Sequence, residues 1–347
     1  MSTVLVTGGC GYIGSHTALC LAEAGHRVVV LDNLCNSSEV AIERVRGLTG
    51  RPIDLVVGDI RDTDCLRRVF SDHSVDAVMH FAGLKAVGES VERPLAYYEN
   101  NVGGTIALLD AMRSAGVRQL VFSSSATVYG DPDRLPITEQ MPADRATNPY
   151  GQTKSMIESI LSDLEAADPE WCVAVLRYFN PVGAHPSGRI GEDPLGVPNN
   201  LAPYIARVAV GALPALPVYG NDYETIDGTG VRDYIHVMDL AEGHLAALEY
   251  LTEHRRSGVW NLGTGRGVSV LEMVDAFRRV SGRPILTEFK PRRGGDIAAC
   301  WADPSKASSE LQWVATRSLD AMVEDTWRWQ SANPGGYNNE TQKQVKN

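Results

Sequence analysis

The chain has 347 residues, with 43 acidic against 32 basic side chains and a net charge of −11. That length suits one large domain or two unequal ones, and the acidic balance argues against nucleic acid or an anionic membrane surface as partner. Six scattered cysteines and eight scattered histidines offer no metal-ligand spacing and no disulfide framework, so free thiols in a reducing compartment are expected.

The N-terminal residues enter an apolar strand, Thr3 to Val6, without a basic region or a cleavage site. No apolar run approaches membrane-spanning length, so a cytoplasmic protein is expected. The strand leads into Gly8-Gly9-Cys10-Gly11-Tyr12-Ile13-Gly14 and a helical pattern through Ala24. Glycines at 8, 11 and 14 let the backbone turn tightly and approach a pyrophosphate lying on the helix N-terminus. A second strand, Val28 to Leu31, ends in Asp32, whose carboxylate accepts from ribose hydroxyls and repels a 2′-phosphate. NAD is therefore favoured over NADP. The alternative is an aspartate that only caps the next turn.

Alternation continues with strand Asp54 to Val57, helix Thr63 to Phe70 and strand Ala77 to Phe81. A long helical stretch from Pro94 to Ala115 precedes strand Gln119 to Ser123, and strand Cys172 to Arg177 follows. This order predicts an α/β fold with a Rossmann-type, doubly wound parallel sheet whose ligands lie beyond the strands' carboxyl ends. From Asn180 glycine and proline become frequent, which marks a smaller, loop-rich, mixed α/β substrate region. Helices Val237 to Glu253 and Ser269 to Val280 flank a strand at Gly258 to Leu262. The expected division is 1–180 for cofactor and 181–337 for substrate, with parts of 231–265 packing back on the first domain. Residues 338–347 read as a disordered polar tail.

Asn148-Pro149-Tyr150-Gly151-Gln152-Thr153-Lys154 opens a run with apolar positions at Met156, Ile157, Ile160, Leu161 and Leu164. The run reads as a helix that puts Tyr150 and Lys154 on one face. A cation there favours the phenolate and lowers a pKa ordinarily near 10, so the phenol can exchange protons with a hydroxyl. Ser125, beyond a strand end, could bond the same oxygen. A solvated helix face and a capping serine remain the plain readings of these residues taken singly.

Together the glycine turn, Ser125 and Tyr150-x-x-x-Lys154 resemble the extended short-chain dehydrogenase/reductase family. Further stretches resemble its UDP-glucose (UDP-galactose) 4-epimerase branch over nearly the whole chain. They are Asp32-Asn33-Leu34-Cys35-Asn36-Ser37, His80-Phe81-Ala82-Gly83-Leu84-Lys85 through Ser90, Arg177-Tyr178-Phe179-Asn180, Gly228 through Val237, and Arg292-Arg293-Gly294-Gly295-Asp296. The resemblance implies NAD contacts from Tyr12, Ile13, Asp32 to Ser37, Asp59, Ile60, Phe81 to Lys85, Asn100, Ser125, Tyr150, Lys154 and Phe179. It implies that Lys85, Ser125, Tyr150, Tyr178, Asn180, Asn200, Leu201, Tyr219, Arg232, Arg293, Asp296 and Cys300 hold a UDP-hexose. Arginine suits that task because its guanidinium meets diphosphate oxygens in a forked geometry.

The implied reaction is reversible epimerisation at carbon 4 through a transient 4-keto sugar, with Tyr150 exchanging the proton, Ser125 steadying the hydroxyl and Lys154 keeping Tyr150 ionised. The small Cys300, where relatives carry a tyrosine or a small residue, implies room for a 2-acetamido group. A homodimer packed through 94–115 and 150–166 is expected by analogy. Rival readings are a dehydratase, a decarboxylase, or a non-catalytic NAD-binding regulatory protein. Dehydratases of this scaffold carry Asp-Glu after the serine or threonine, and Ala126-Thr127 stands there instead.

Overall fold

The first half of the chain alternates strands and helices because its strands are short, mostly apolar runs, the central ones buried on both faces. In the computed structural model, which describes residues 1–196 and 198–339, these are β1 (Thr3–Thr7), β2 (Arg27–Asp32), β3 (Ile53–Val57), β4 (Ala77–His80), β5 (Gln119–Ser123) and β6 (Cys172–Tyr178). Val4, Leu5, Val6 and Val28 to Leu31 are fully buried. Between the strands run α1 (Tyr12–Glu23), α2 (Glu39–Thr49), α3 (Thr63–Asp72), α4 (Val87–Glu92), α5 (Pro94–Tyr97), α6 (Gly104–Ser114) and α7 (Pro149–Ala167). One core cluster joins one sheet face to α1 and α2, and another joins the opposite face to α3, α6 and α7.

Beyond β6 the chain forms β7 (Asn180–Val182), α8 (Leu201–Ala209), β8 (Leu216–Tyr219), β9 (Val231–His236) and α9 (Val237–His254). It continues through β10 (Gly258–Leu262), β11 (Gly267–Ser269), α10 (Val270–Ser281), β12 (Thr287–Lys290), β13 (Ala299–Cys300), α11 (Ser305–Glu310) and α12 (Leu319–Ala332). The main sheet has seven parallel strands in the order β10-β6-β5-β4-β1-β2-β3. Strand order reverses at β1, so the loops after β1 and β4 open a crevice there. Strand β10 lies far along the chain yet pairs with β6, and α9 packs on α1. A smaller sheet centres on β9, which pairs with β7, β11 and β13, while β8 pairs with β12. Helices α8, α10 and α12 share the core cluster over these strands.

The helical stretch expected from Pro94 to Ala115 is continuous but not uniform, because Tyr98–Gly103 winds as a π-helix. Such bulges gather at functional positions, and this one carries Asn100 and Asn101. Of the tail expected at 338–347, Gly336–Asn339 closes a 3₁₀ turn and the remainder lies outside the described residues. No helix among the described residues is long and apolar enough to cross a membrane.

Candidate active site

A cleft of about 320 Å³ opens along the carboxyl ends of β1, β2 and β4. Its floor is the turn from Gly8 to Gly14. Gly8 has φ +70°, and a Cβ on Gly14 would stand 2.3 Å from the Gly8 carbonyl oxygen, so the turn packs as it does only with glycine. Helix α1 starts at Tyr12 with no side chain capping it, which leaves its first N–H groups for an anion.

Asp32 ends β2 buried. Its Oδ2 accepts from Cys10 N at 2.9 Å, and its Oδ1 accepts from Leu34 N at 2.9 Å and Ser37 Oγ at 2.7 Å. A carboxylate offers about four acceptor positions, which leaves one for a ribose hydroxyl. Asp59 holds Asn33 through a hydrogen bond of 2.9 Å and is paired with Arg61. Its carboxyl is held well below the usual range, chiefly by Arg61.

The cleft wall includes Gly8, Gly11, Tyr12, Ile13, Gly14, Asp32, Asn33, Cys35, Asn36, Ser37, Ile60, Phe81 to Lys85, Asn100, Tyr150, Lys154, Tyr178 and Asn200. Leu34, Asp59, Ser125 and Phe179 are not on that wall. Leu34 packs toward the core, and Phe179 lies in a buried cluster with Tyr129 and Cys300. Ser125 caps a 3₁₀ turn, Ala126–Tyr129, with its Oγ accepting from Thr127 N at 3.2 Å and Thr127 Oγ1 at 3.0 Å. The same side chain favours the ionised form of the Tyr150 phenol, so the capping serine also acts on the phenol.

Tyr150 and Lys154 stand on α7, whose start is fixed by Pro149 and by the Asn148 side chain accepting from Gly151 N at 2.9 Å. Both side chains are buried. Lys154 Nζ donates to Ser123 O at 2.8 Å and lies 4.9 Å from the Phe122 ring centroid and 6.0 Å from that of Tyr150. The expected lowering of the tyrosine pKa is corrected here. Burial pushes Tyr150 well above its ordinary value, and Ser125 opposes this only in part. Desolvation also acts on the cation, lowering Lys154 to about 8.

The other implied substrate residues gather around the smaller sheet. Three consecutive residues link the two regions: Tyr178 on the cleft wall, Phe179 in the core, and Asn180, which is in register with Tyr234. Arg232 is in register with Cys300. Arg293 lies 4.8 Å over the Tyr219 ring and pairs with Asp296 at 2.8 Å. Arg232 and Arg293 both oppose the rise of the Tyr234 phenol, which burial still carries to about 12. Cys300 is buried, which lifts its thiol to about 11. Leu201 begins α8 and packs into that region's core.

Sequence reasoning missed Glu192, Asp193, Leu195, Asn199 and Tyr337 on the cleft wall. Glu192 Oε1 accepts from Lys85 at 3.3 Å and from Asn200 at 2.9 Å. The glycine and proline run from Gly183 announced a loop, but such a run carries no periodicity to show where it folds back. His244 was also missed; its ring lies 4.7 Å from Phe81 and its Nε2 3.3 Å from Ser123 Oγ.

A model of the NAD dependent epimerase/dehydratase family matches residues 4–263. A UDP-glucose 4-epimerase of Bacillus subtilis is 60% identical over 334 residues, covering 96% of this chain and 98% of the relative. The crystal structure of UDP-glucose 4-epimerase from Bifidobacterium longum in complex with NAD+ and UDP is 54% identical, with a TM-score of 0.93 over 96% of this chain and all of that one. That of Stenotrophomonas maltophila, with bound NAD and formylated UDP-arabinopyranose, is 52% identical, with a TM-score of 0.94 over 96% of this chain and 99% of that one. With the glycine turn, Asp32 and the Tyr150–Lys154 helix meeting in one cleft, and likeness extending through the loop-rich second half, the chain belongs to the NAD dependent epimerase/dehydratase family.

Proposed function

We propose that this protein interconverts UDP-galactose and UDP-glucose at carbon 4, an isomerase reaction that uses bound NAD. The observation that carries this reading is that Tyr150, Lys154 and Tyr178 share one cleft with the Gly8–Gly14 turn and Asp32, while Asn180, two residues past Tyr178, enters the sheet that carries Arg232. When bound, NAD would supply reversible hydride acceptance at carbon 4 of the sugar, with no net oxidation over a turnover. The Gly8–Gly14 turn and the N-terminus of α1 would hold its pyrophosphate, and Asp32 its ribose.

Tyr150 takes the proton of the 4-hydroxyl and later returns it, with Ser125 orienting that oxygen. Lys154, anchored on Ser123 O, sets the charge of the pocket. Arg232 and Arg293 grip the diphosphate, while Asn180, Asn200, Leu201, Tyr219 and Asp296 hold the rest of the nucleotide sugar. A firm hold on UDP with few ties on the hexose lets the sugar turn over. Residues 1–180 would thus serve NAD and 181–337 the UDP-sugar, with β10 returning to the first sheet.

Two finer readings go with this. Cys300, small and packed beside Phe179, leaves room for the 2-acetamido group of UDP-N-acetylglucosamine and UDP-N-acetylgalactosamine. A cytoplasmic homodimer is favoured by six free cysteines and by exposed Val87, Val91, Leu95, Ile106 and Met156 on α4 to α7.

The test is incubation of the pure protein with UDP-galactose and no added NAD. UDP-glucose formation supports the reading. A stable 4-keto product that has lost water points to a dehydratase, and no change points to a binding protein. Thr127, with its hydroxyl turned to Ser125, cannot supply the acid of a dehydratase.

A further inference from the structure

Beneath the catalytic helix lies a buried charged joint that the proposed reaction does not use. Glu158 stands one helical turn beyond Lys154 on α7, and its side chain is only 11% exposed. Its carboxylate accepts from Arg177 on β6 at 2.6 Å and from Ser124, at the end of β5, at 2.5 Å. Ser124 sits between Ser123, whose carbonyl receives the Lys154 ammonium, and Ser125, which favours the ionised Tyr150 phenol. One carboxylate therefore ties together the helix bearing Tyr150 and Lys154, the strand end bearing the serines, and the strand that leads into Tyr178.

We propose that Glu158 is a positioning residue for this reaction, whose buried negative charge keeps the Lys154 ammonium protonated in a pocket that otherwise expels charge. The proposal rests on the epimerase reading above. The groups facing this joint are few. Lys154 comes from α7 itself, Arg177 from β6, and Tyr129 and Glu139 from the loop after β5. Tyr129 OH receives Arg177 at 3.0 Å, and Glu139 bonds Asn261 N at 2.8 Å through its carboxylate and Arg177 through its carbonyl oxygen at 3.4 Å. On the other side of Lys154, His80 from β4 is held neutral and the Tyr150 phenol is held protonated. Among the described residues Glu158 acts to raise Lys154 against its desolvation, whereas Arg177 is a permanent cation.

Removing the anion while Arg177 stays leaves two buried cations near each other, so Lys154 loses its proton at lower pH. In purified holoenzyme, Glu158→Gln keeps the shape and the hydrogen-bonding oxygen but not the charge. We expect the alkaline limb of the kcat–pH profile to move down by about one pH unit, the size of effect a nearby opposite charge exerts, with KM for UDP-galactose unchanged. Glu158→Asp, which retains the charge, should restore the limb. Arg177→Gln should move it up. A Glu158→Gln enzyme whose rate falls equally at every pH, with the limb in place, would mark a merely structural residue and overturn the proposal. If Glu158→Gln does not fold, Arg177→Gln decides, and a limb unmoved or moved down overturns it. Wild-type protein that fails to interconvert the two sugars refutes the functional reading instead, which keeps the two failures apart.

Discussion

Lys154 Nζ donates to the Ser123 carbonyl oxygen at 2.8 Å while standing 6.0 Å from the Tyr150 ring centroid. The ammonium is thus anchored to the sheet backbone and acts on the phenol only across a gap. Burial then dominates both groups, raising Tyr150 and lowering Lys154. The protein by itself holds the phenol protonated, and base strength has to come from a positive charge delivered with the reactants.

Tyr150→Phe should therefore keep NAD and lose turnover. Removing a positioned acid–base group costs about 10²–10⁴ in rate, whereas none of the phenol's hydrogen bonds supports the Gly8–Gly14 turn. Cofactor released on denaturation and UDP-galactose turnover are the paired measurements. A variant within about tenfold of wild type in kcat would mean that another group carries the proton.

Activity should fall as pH rises through about 8, where buried Lys154 gives up its proton. The sign follows from the role: the charged form is the working one, and desolvation brings its loss into a measurable range. A kcat profile from pH 6 to 9.5 tests this, and a profile flat through pH 9.5 contradicts it.

The doubly wound sheet was legible because its central strands are buried on both faces and read as mostly apolar runs. The cofactor turn was legible because glycine is needed where backbone meets backbone. The tyrosine–lysine spacing was legible because a helix puts residues four apart on one face. Less could be read from single residues. Ser125 serves as a cap and as a partner of Tyr150 at once, a choice that spacing cannot make. The phenol's rise depends on enclosure by the folded chain, which no local pattern reports. Glu192 and Tyr337 reach the cleft through irregular backbone, where the sequence carries no period to follow.

Cys300→Tyr should abolish turnover of UDP-N-acetylgalactosamine while sparing UDP-galactose. Cys300 packs with Tyr129 and Phe179 in a buried cluster that has no room for a phenol, so on the proposed reading the larger side chain takes the space of the 2-acetamido group. Comparing kcat/KM for the two substrates in wild type and variant is the test. A wild-type enzyme that ignores the acetylated sugar sinks the reading.

Stability should decline on acidification from about pH 6.5. His80 is buried, with Nδ1 2.7 Å from Thr7 Oγ1 and Nε2 2.9 Å from Thr105 Oγ1. Thr105 donates its hydroxyl proton to Asn101 O at 2.6 Å, so Nε2–H donates to Thr105 and Nδ1 accepts from Thr7. Burial lowers His80 to about 3. Between the unfolded value near 6.5 and about 3 only the unfolded chain takes up the proton, so stability is full above 6.5 and lost below it. The loss is about 1.4 kcal/mol per pH unit for such a group. Urea unfolding at pH 6.5, 5.5 and 4.5 should show a shallower dependence in His80→Gln, and equal slopes in variant and wild type would refute the assignment.

Gly14→Ala offers a test in which two effects differ in sign. Gly14 lies inside α1, where helix propensity alone favours alanine by about 1 kcal/mol. A Cβ there would meet Gly8 O at 2.3 Å and Gly9 Cα at 2.8 Å. Both are backbone atoms, so no side chain can rotate away, and relief requires the turn itself to shift. Such overpacking costs about 1–3 kcal/mol, which outweighs the propensity gain. The variant should unfold at lower temperature and release NAD more readily, because the displaced Gly8–Gly14 backbone is the surface a pyrophosphate would lie on. Thermal unfolding with and without added NAD measures both effects. A variant as stable as wild type that retains its cofactor would show that the turn has slack, and that glycine at 14 is not what shapes the cofactor floor.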